Sequence, residues 1–467
     1  MSCDFAFALA FARSWIAAGL HSWYSRAVPD RQRKEKAMRY EHSNRDSVRR
    51  KRGHPWPAHL CVAVFWLLVL LVSGATAQGQ VLTWQSDLVF LNTSFENASP
   101  LYWEVDANDL IHVYLIYDQE RASPNRANGH WLFQVQARPG AELTFLLRNF
   151  DNVWNGRKGS PLHQRTVCFA SLDGRTWQTV PTELTADNRL RIKVRADTGS
   201  LYLARLEPYR ISDLETLKHK IGTDRRVEIT TIGQTVEGRE LEIIRIGNPE
   251  AAHRVVLRAR AHPWEPGGNW VVEGLIQRLL REDEAARRYL ERYCVYVMPM
   301  ANKDGVARGR TRFNLLGADL NRKWDQPADP TINPENHALE RWLQSMVTNG
   351  RKPDLLIDLH NDESGGLHID RPEKGLDEYL RSMDRLDAVL RQYTWYTERT
   401  SKASSSSPGS IGGGLLARFG VHACVLELNA NWIAGLNACP SAQRWQLFGA
   451  QLCEAFFHYF EVETDRK

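Results

Sequence analysis

The sequence predicts an α/β protein, a mixed sheet covered by helices on both faces (α/β/α), preceded by a small all-β sandwich. Two patterns and one proportion lead there. Between about residues 78 and 208 side-chain character alternates with a period of two: Leu190, Ile192 and Val194 are separated by Arg191 and Lys193, as in a strand with one wet face. Beyond residue 208, helical faces alternate with short, nearly continuous apolar runs, the mark of strands buried on both sides. The 467 residues are 43% hydrophobic and 25% charged, proportions of ordinary globular domains, and the length allows two or three of them. The chain is therefore divided into residues 1–77, 78–208 and 209–467.

The first segment reads as a leader. Residues 60–72 (LCVAVFWLLVLLV) are an uncharged apolar block of 13, behind Arg49-Arg50-Lys51-Arg52 and ahead of Ser73-Gly74-Ala75-Thr76-Ala77. Basic flank, short apolar core and Ala-x-Ala site make a secretory signal cleaved after Ala77, so the expected product is exported, periplasmic or secreted. A membrane anchor is the competing reading, but a spanning helix needs about 20 apolar residues; no stable membrane insertion is expected after cleavage. Met38 gives a leader of more ordinary length than Met1. The formal charge of +5 belongs to this segment, which holds 12 of the 60 Lys+Arg and 5 of the 55 Asp+Glu, leaving 48 and 50 and a charge near −2. No basic stripe remains, and nucleic acid is excluded as a partner. Of seven cysteines, Cys3 and Cys61 leave with the leader. Cys168, Cys294, Cys424, Cys439 and Cys453 show no Cys-x-x-Cys spacing, so zinc binding through thiolates is not expected, and at least one thiol stays free unless an intermolecular bond forms.

In the β-rich segment, strands are expected at residues 110–117, 131–137 and 142–149, between clusters of Pro, Gly and Asn, with Asp173-Gly174 closing a tight hairpin between 166–172 and 176–180. Trp103, Trp131, Trp154 and Trp177 could form a sugar-binding platform; aromatic residues at strand positions more often fill a core, and core is the expectation. After residue 208, Ser212-Asp213-Leu214-Glu215 has the form of a capping box opening a helix that Gly222 stops. Residues 227–232 and 241–246 flank a glycine-containing turn and read as a hairpin. A strand at 255–260, a helix at 269–281, a strand at 294–298, a helix from Pro334, a strand at 355–359, a helix at 376–393, a strand at 424–428 and a helix from Ser441 complete the series.

A hydrolytic zinc ion needs three protein ligands and one open position, and two histidines with a carboxylate are an accepted set. His262 and Glu265 stand three residues apart just after the run 255–260, but His337/Glu340 and His360/Glu363 repeat the spacing, so the motif alone is weak. Position chooses among them. In open α/β sheets ligands gather at the carboxyl ends of strands, where both His262 and His360 fall. His337 instead lies at a charged helix start, and His337/Glu340 reads as a solvated surface pair. The expected metal site is His262, Glu265 and His360, holding one Zn2+, which imidazole and carboxylate suit.

Five motifs follow one another: HPWE (262–265), NKDGV (302–306), GADLNRKW (317–324), DLLIDLHND (354–362) and VLELN (425–429). In this order they resemble the zinc carboxypeptidases of the M14 type. The upstream IGQTVEGR (232–239) is similar to the glycine-arginine turn ahead of that family's first zinc motif. LYLARLEPYRISDLETL (201–217), following a β-rich segment, resembles the cytosolic-carboxypeptidase branch, whose members carry such a domain before the catalytic one. The likeness covers nearly all of residues 100–465, and it implies a zinc carboxypeptidase-like catalytic domain over 209–467.

The resemblance also implies roles. Glu427, at the end of an apolar strand, matches the general base, against the plainer reading of a strand-end surface acid. Arg312 matches the cation that meets charge on the scissile carbonyl oxygen, with Arg308 and Arg310 as rivals. Asn321 and Arg322 match the groups that bind a terminal carboxylate, for which an amide and a guanidinium fork are suited. Asp319 is similar to the acid that orients the first zinc histidine. Family members often present a mobile tyrosine before the base, whereas residues 401–414 (SKASSSSPGSIGGG) contain none, and Tyr393 and Tyr396 lie earlier. That run reads as a mobile loop over the pocket or as an ordinary surface loop, with Ile411 near where the family sets side-chain preference. The activity implied is release of C-terminal amino acids from peptides or proteins by metal-activated water. The alternatives are a zinc amidase acting on cell-wall peptides or acyl-amino acids, and a binding protein on this fold without turnover.

Overall fold

The structure, a computed structural model, describes residues 86–370, 377–401 and 409–461. The leader over residues 1–77, with the export reading that rests on it, and most of the serine-rich run lie outside the described residues.

In the β-rich region two five-stranded sheets enclose one core. The first runs, in spatial order, Leu88–Asn92, Leu132–Ala137, Ser200–Ala204, Cys168–Ser171 and Gln178–Val180; the second runs Thr182–Leu184, Leu190–Ala196, Ala141–Arg148, Ile111–Leu115 and Leu101–Val105. Alternation decides which side chains meet between them: Leu190 and Ile192 are buried with Trp131, Phe133, Phe145 and Leu203, while Lys193 and Arg195 face water. Trp131 is core as expected. The expected tight turn at Asp173-Gly174 is wider, because Cys168 pairs with Val180 and residues 172–177 form the loop. The Asp173 carboxylate sets its shape by accepting from the backbone N–H groups of Arg175 and Thr176 at 2.8 and 2.7 Å. A small third sheet joins Asp118–Gln119, Arg126–Ala127, Asn152–Trp154 and Arg157–Gly159. Its last two strands are a hairpin whose turn, Asn155-Gly156, takes φ of 49° and 73°, the handedness that fits strand twist.

The α/β region holds helices α1 (Ile211–Ile221), α2 (Gly267–Leu279), α3 (Glu284–Arg292), α4 (Lys303–Ala307), α5 (Pro334–Thr348), α6 (Asp377–Tyr393), α7 (Ile411–Phe419) and α8 (Ala442–Glu461). Its strands are β1 (Val227–Gln234), β2 (Glu240–Ile246), β3 (His253–Ala259), β4 (Tyr293–Met298), β5 (Leu355–Asp362), β6 (Gly366–His368) and β7 (His422–Asn429). They form one mixed seven-stranded sheet in the order β1-β2-β4-β3-β5-β7-β6, parallel between β4 and β7 and antiparallel at both margins. Both faces are covered. Val255, Leu257, Val295, Ile357 and Leu426 pack with residues of α2, α3, α6 and α8, while Val256, Cys294, Leu356 and Val425 pack with residues of α5 and α7. Helices α2 and α8 touch backbone to backbone: a Cβ on Gly274 would stand 2.0 Å from the Gln446 carbonyl oxygen, and one on Gly449 1.9 Å from that of Val271.

Three local expectations change. α1 begins at Ile211, before Ser212; Asp213 reaches back to accept from the Arg210 N–H at 2.7 Å, and Glu96 of the β-rich region accepts from the Ile211 N–H at 2.6 Å. Gly222 does end this helix. Ile411–Gly414, expected in a loop, opens α7, with Ser410 as its N-cap accepting from the Gly413 N–H. Of the pair His337/Glu340, expected to be solvated, His337 is half-exposed but Glu340 is buried and accepts from Arg418 of α7 at 2.6 Å and from the Ala328 N–H at 2.9 Å. Charge near a helix start marks an exposed face only when no other element packs on it.

Candidate metal centre and active-site cavity

The sequence around β3 builds one side of the site. β3 ends at Ala259, and Arg260 then turns the chain with a φ of 63°, a conformation side chains rarely adopt. Its buried guanidinium fixes the turn by donating to the Pro263 carbonyl at 2.8 Å and to Asn269 Oδ1 at 3.1 Å. His262 and Glu265 are thereby held at the carboxyl end of β3, just ahead of α2. Neighbouring β5 and β7 run parallel with His360 opposite Glu427. Asn361 links strand and helix, accepting from the Gly267 N–H at 2.8 Å and donating to the Leu428 carbonyl at 2.9 Å.

His262, Glu265 and His360 are buried, with one ligand atom of each lying within 4.8 Å of the others. His262 Nδ1 is 2.8 Å from Glu265 Oε1, His360 Nδ1 is 2.8 Å from Glu265 Oε2, and the two Nδ1 atoms are 3.2 Å apart. The far nitrogens are committed elsewhere. His262 Nε2 meets Asp319 Oδ1 at 3.0 Å and His360 Nε2 meets Asp358 Oδ2 at 2.9 Å; an ionised carboxylate can only accept, so both Nε2 atoms carry the proton. Asp319 is ionised: burial alone would raise its pKa, but Arg312 and His262 take it well below the usual range. The two Nδ1 atoms and the Glu265 oxygens then face one point.

This donor set fits a zinc ion. Corners of a tetrahedron with bonds of about 2.1 Å stand roughly 3.4 Å apart, close to the spacings above. The second ring nitrogen of each histidine is bound to a carboxylate, as ligating histidines require. The electrostatics agree. Burial would raise the Glu265 carboxyl, yet the two imidazoles hold it down at about 2; burial would lower His360, yet Asp358 and Glu265 raise it well above its ordinary value. The surroundings favour positive charge at this point, which a dication supplies.

The opposite wall carries the arginines. Arg312 Nε donates to Asp319 Oδ2 at 2.8 Å, so a single carboxylate ties Arg312 to His262; its Oδ1 also accepts from the Asn321 N–H at 2.9 Å. The loop bearing Arg312 is fixed from the β-rich region: buried Asp118 accepts from the backbone N–H groups of Arg312 and Phe313 at 2.8 Å each. Arg310 and Arg308 point elsewhere, to Asp118 and Glu237. A cavity of about 230 Å3 is lined by His262, Glu265, Arg312, Asn321, Arg322 and Glu427 from the α/β region and by Asn128 and Asn152 from the β-rich one. All the expected residues except Asp319 and His360 thus reach the wall of one cavity, and those two stand directly behind it. Glu427 Oε2 and Asn321 Oδ1 are sealed from solvent with no protein partner, two polar atoms in want of a ligand. Burial pushes the Glu427 carboxyl well above the usual carboxylate range, against the opposing pull of His360. A larger groove of about 940 Å3, lined by Tyr117, Arg121, Arg308 and Leu316, shares none of that cavity's lining residues.

Sequence reasoning missed Asp358, Arg258 and Arg260. Asp358 precedes His360 by two residues and shares its strand face, which period-two alternation makes visible. Arg258, its register partner on β3, donates to it at 2.8 Å. Asp118 carries no local signal, since it lies far from the loop it supports; Trp154, expected in the core, is half-buried, joins no hydrophobic core cluster and faces Arg312 and Arg322 instead.

Comparison with known proteins finds a family match over part of the chain and a likeness of fold over most of it. Residues 215–363 match the family described as zinc carboxypeptidase, Peptidase M14. An uncharacterized protein of Zymomonas mobilis is 30% identical over 207 residues, 44% of this chain and 51% of its own; cytosolic carboxypeptidase 6 of Caenorhabditis elegans is 34% identical over 133 residues, 27% and 29%. The chain thus spans about half or less of the curated relatives it matches. The crystal structure of a metallo-carboxypeptidase from Burkholderia cenocepacia superposes with a TM-score of 0.71 over 80% of this chain and 99% of that one at 21% identity, a likeness of fold.

Proposed function

We propose that the chain, whose residues 215–363 match the zinc carboxypeptidase family, is a metallocarboxypeptidase releasing single C-terminal residues from peptides or proteins. The observation that carries this reading is the convergence of a three-donor metal cluster, an acid and two arginines on one small cavity. His262, Glu265 and His360 would hold one zinc ion, which when bound acidifies water and polarises a carbonyl. Glu427 takes the proton of the attacking water on its carboxylate and returns it to the departing amine. Arg312, fixed on Asp319, offers its remaining guanidinium N–H groups to the carbonyl oxygen as charge builds there. Arg322 and the Asn321 amide receive the terminal carboxylate. The volume lies below the range of about 300–1,000 Å3 common for ligand pockets, which suits one terminal residue better than a stretch of chain. Action outside the cytoplasm is part of the proposal and rests on the leader sequence.

The test is a mixed peptide library incubated with the purified chain, with and without chelator. Loss of single C-terminal residues that stops on metal removal and returns with zinc supports the reading; cleavage restricted to internal or side-chain amides overturns it.

A further inference from the structure

Arg312 and Arg322 share a support that belongs to the β-rich region. Trp154 lies at the end of the strand Asn152–Trp154, and its indole faces both guanidinium groups, with the central carbon of Arg312 4.3 Å and that of Arg322 5.2 Å from the ring centroid. Behind them the indole stacks on buried Phe313 at 6.4 Å and 18°. The hairpin is itself fixed: the Asn155 N–H donates to Asn125 Oδ1 at 2.9 Å, and the Asn128 N–H donates to Asn152 Oδ1 at 2.7 Å. Trp154 is not among the residues lining the cavity, so it acts on a ligand only through the arginines.

The arrangement answers a physical difficulty. Two guanidinium groups held at one small cavity repel each other, and only Arg312 has a carboxylate, Asp319, hydrogen-bonded to it; Arg322 donates to the neighbouring Asn321 carbonyl at 2.7 Å. An aromatic face is negative, attracts both cations and excludes water from one side of each. We propose that Trp154 is a positioning residue that clamps Arg312 and Arg322 side by side, so that recognition of a free carboxylate depends on the β-rich region. The proposal rests on the reading above that this cavity takes a terminal carboxylate. It also gives the β-rich region a task at the site.

The test compares the zinc-loaded parent with Trp154→Phe and Trp154→Leu. Calorimetry measures binding of a panel of N-acetylated amino acids and of their amides, and kinetics separates KM from kcat on peptides with free termini. The leucine variant should bind the free acids about tenfold more weakly, lose most of the preference for acid over amide, raise KM about tenfold through Arg322 and lower kcat several-fold through Arg312. Zinc content should stay at one ion. The phenylalanine variant should stay within about threefold of the parent, since it keeps an aromatic face. Should the leucine variant not fold, Trp154→Met, apolar and long but ringless, takes its place. Parent-like binding by the ringless variant, or a phenylalanine variant as impaired as the ringless one, overturns the clamp. Failure of the hydrolytic reading looks different: the parent then releases no residue yet still binds the acids, and the same comparison decides the clamp. A parent that binds neither acid nor amide overturns the clamp together with the carboxylate site it serves.

Discussion

Replacing Asp319 by Asn tests the coupling between the metal cluster and the arginine wall. The native carboxylate is buried and accepts from His262 Nε2 at 3.0 Å, the Asn321 N–H at 2.9 Å and Arg312 Nε at 2.8 Å. An amide has one oxygen and one NH2 where the carboxylate has two oxygens. If its oxygen keeps His262 and Asn321, the NH2 faces Arg312, a donor against a donor. If it turns over, His262 loses the acceptor that fixes its ring. A hydrogen bond to a charged group contributes about 1.5–3 kcal/mol, and every 1.4 kcal/mol is about tenfold. Either orientation therefore costs roughly 10- to 150-fold in the function of the group it abandons, in line with the losses of about 10–100-fold seen when partners of metal-bound histidines are removed. The expected outcome for Asp319→Asn is a folded protein in which zinc affinity, read by competition with a chromophoric chelator, or kcat/KM at saturating zinc, falls by at least tenfold. Both quantities within twofold of the parent would show that Asp319 couples nothing.

Glu427→Gln should retain zinc and lose roughly 10²–10⁴-fold in kcat, the range for general acid–base groups; a metal-replete variant turning over at near-parent rates removes Glu427 from the base role. Glu335, in the first turn of α5, is buried with one oxygen unpartnered, and burial raises its pKa to about 7 from 4.5. A raised carboxyl binds its proton more tightly folded than unfolded, so stability is full below about pH 4.5 and is lost as pH rises towards 7. Glu335→Gln, which does not titrate, should gain roughly 2–3 kcal/mol on the parent between pH 5 and 8 by urea unfolding; an equal gap at both pH values refutes this. Gly449→Ala should push α8 off α2 and lower Tm, by about 1–3 kcal/mol or more in stability, whereas an unchanged Tm would mean that the crossing yields freely.

Much of the site is legible in the chain because its positions obey strand logic. His262 and His360 follow apolar runs, and Glu427 ends a third, so alternation and strand ends place all three without tertiary knowledge. The orienting groups divide by the same rule. Asp358 was readable in principle, two residues before His360, while Arg258 gains its meaning only from the register of β3 against β5. Glu340 looked solvated because its neighbours are charged; the approach of Arg418 from α7 is a contact across 78 residues that no local pattern announces. Asp118 and Trp154 are the extreme case, supporting residues that follow them by more than 150 positions. Periodicity says which face is wet, and it is silent about what comes to cover it.

The pairing of His360 with Glu427 across β5 and β7 behaves as a ruler. Adjacent strands keep about 4.8 Å between them wherever the ladder holds, so the separation of these two side chains is a property of backbone bonding and inherits little from the loops. Arg312 and Arg322 have no such gauge, since they sit in a loop steadied by Asp118, Asp319 and Trp154 from three directions. The tolerances of the two halves therefore differ: loosening the molecule by heat or substitution would blur the placing of Arg312 and Arg322 well before it disturbs the spacing between Glu427 and His360.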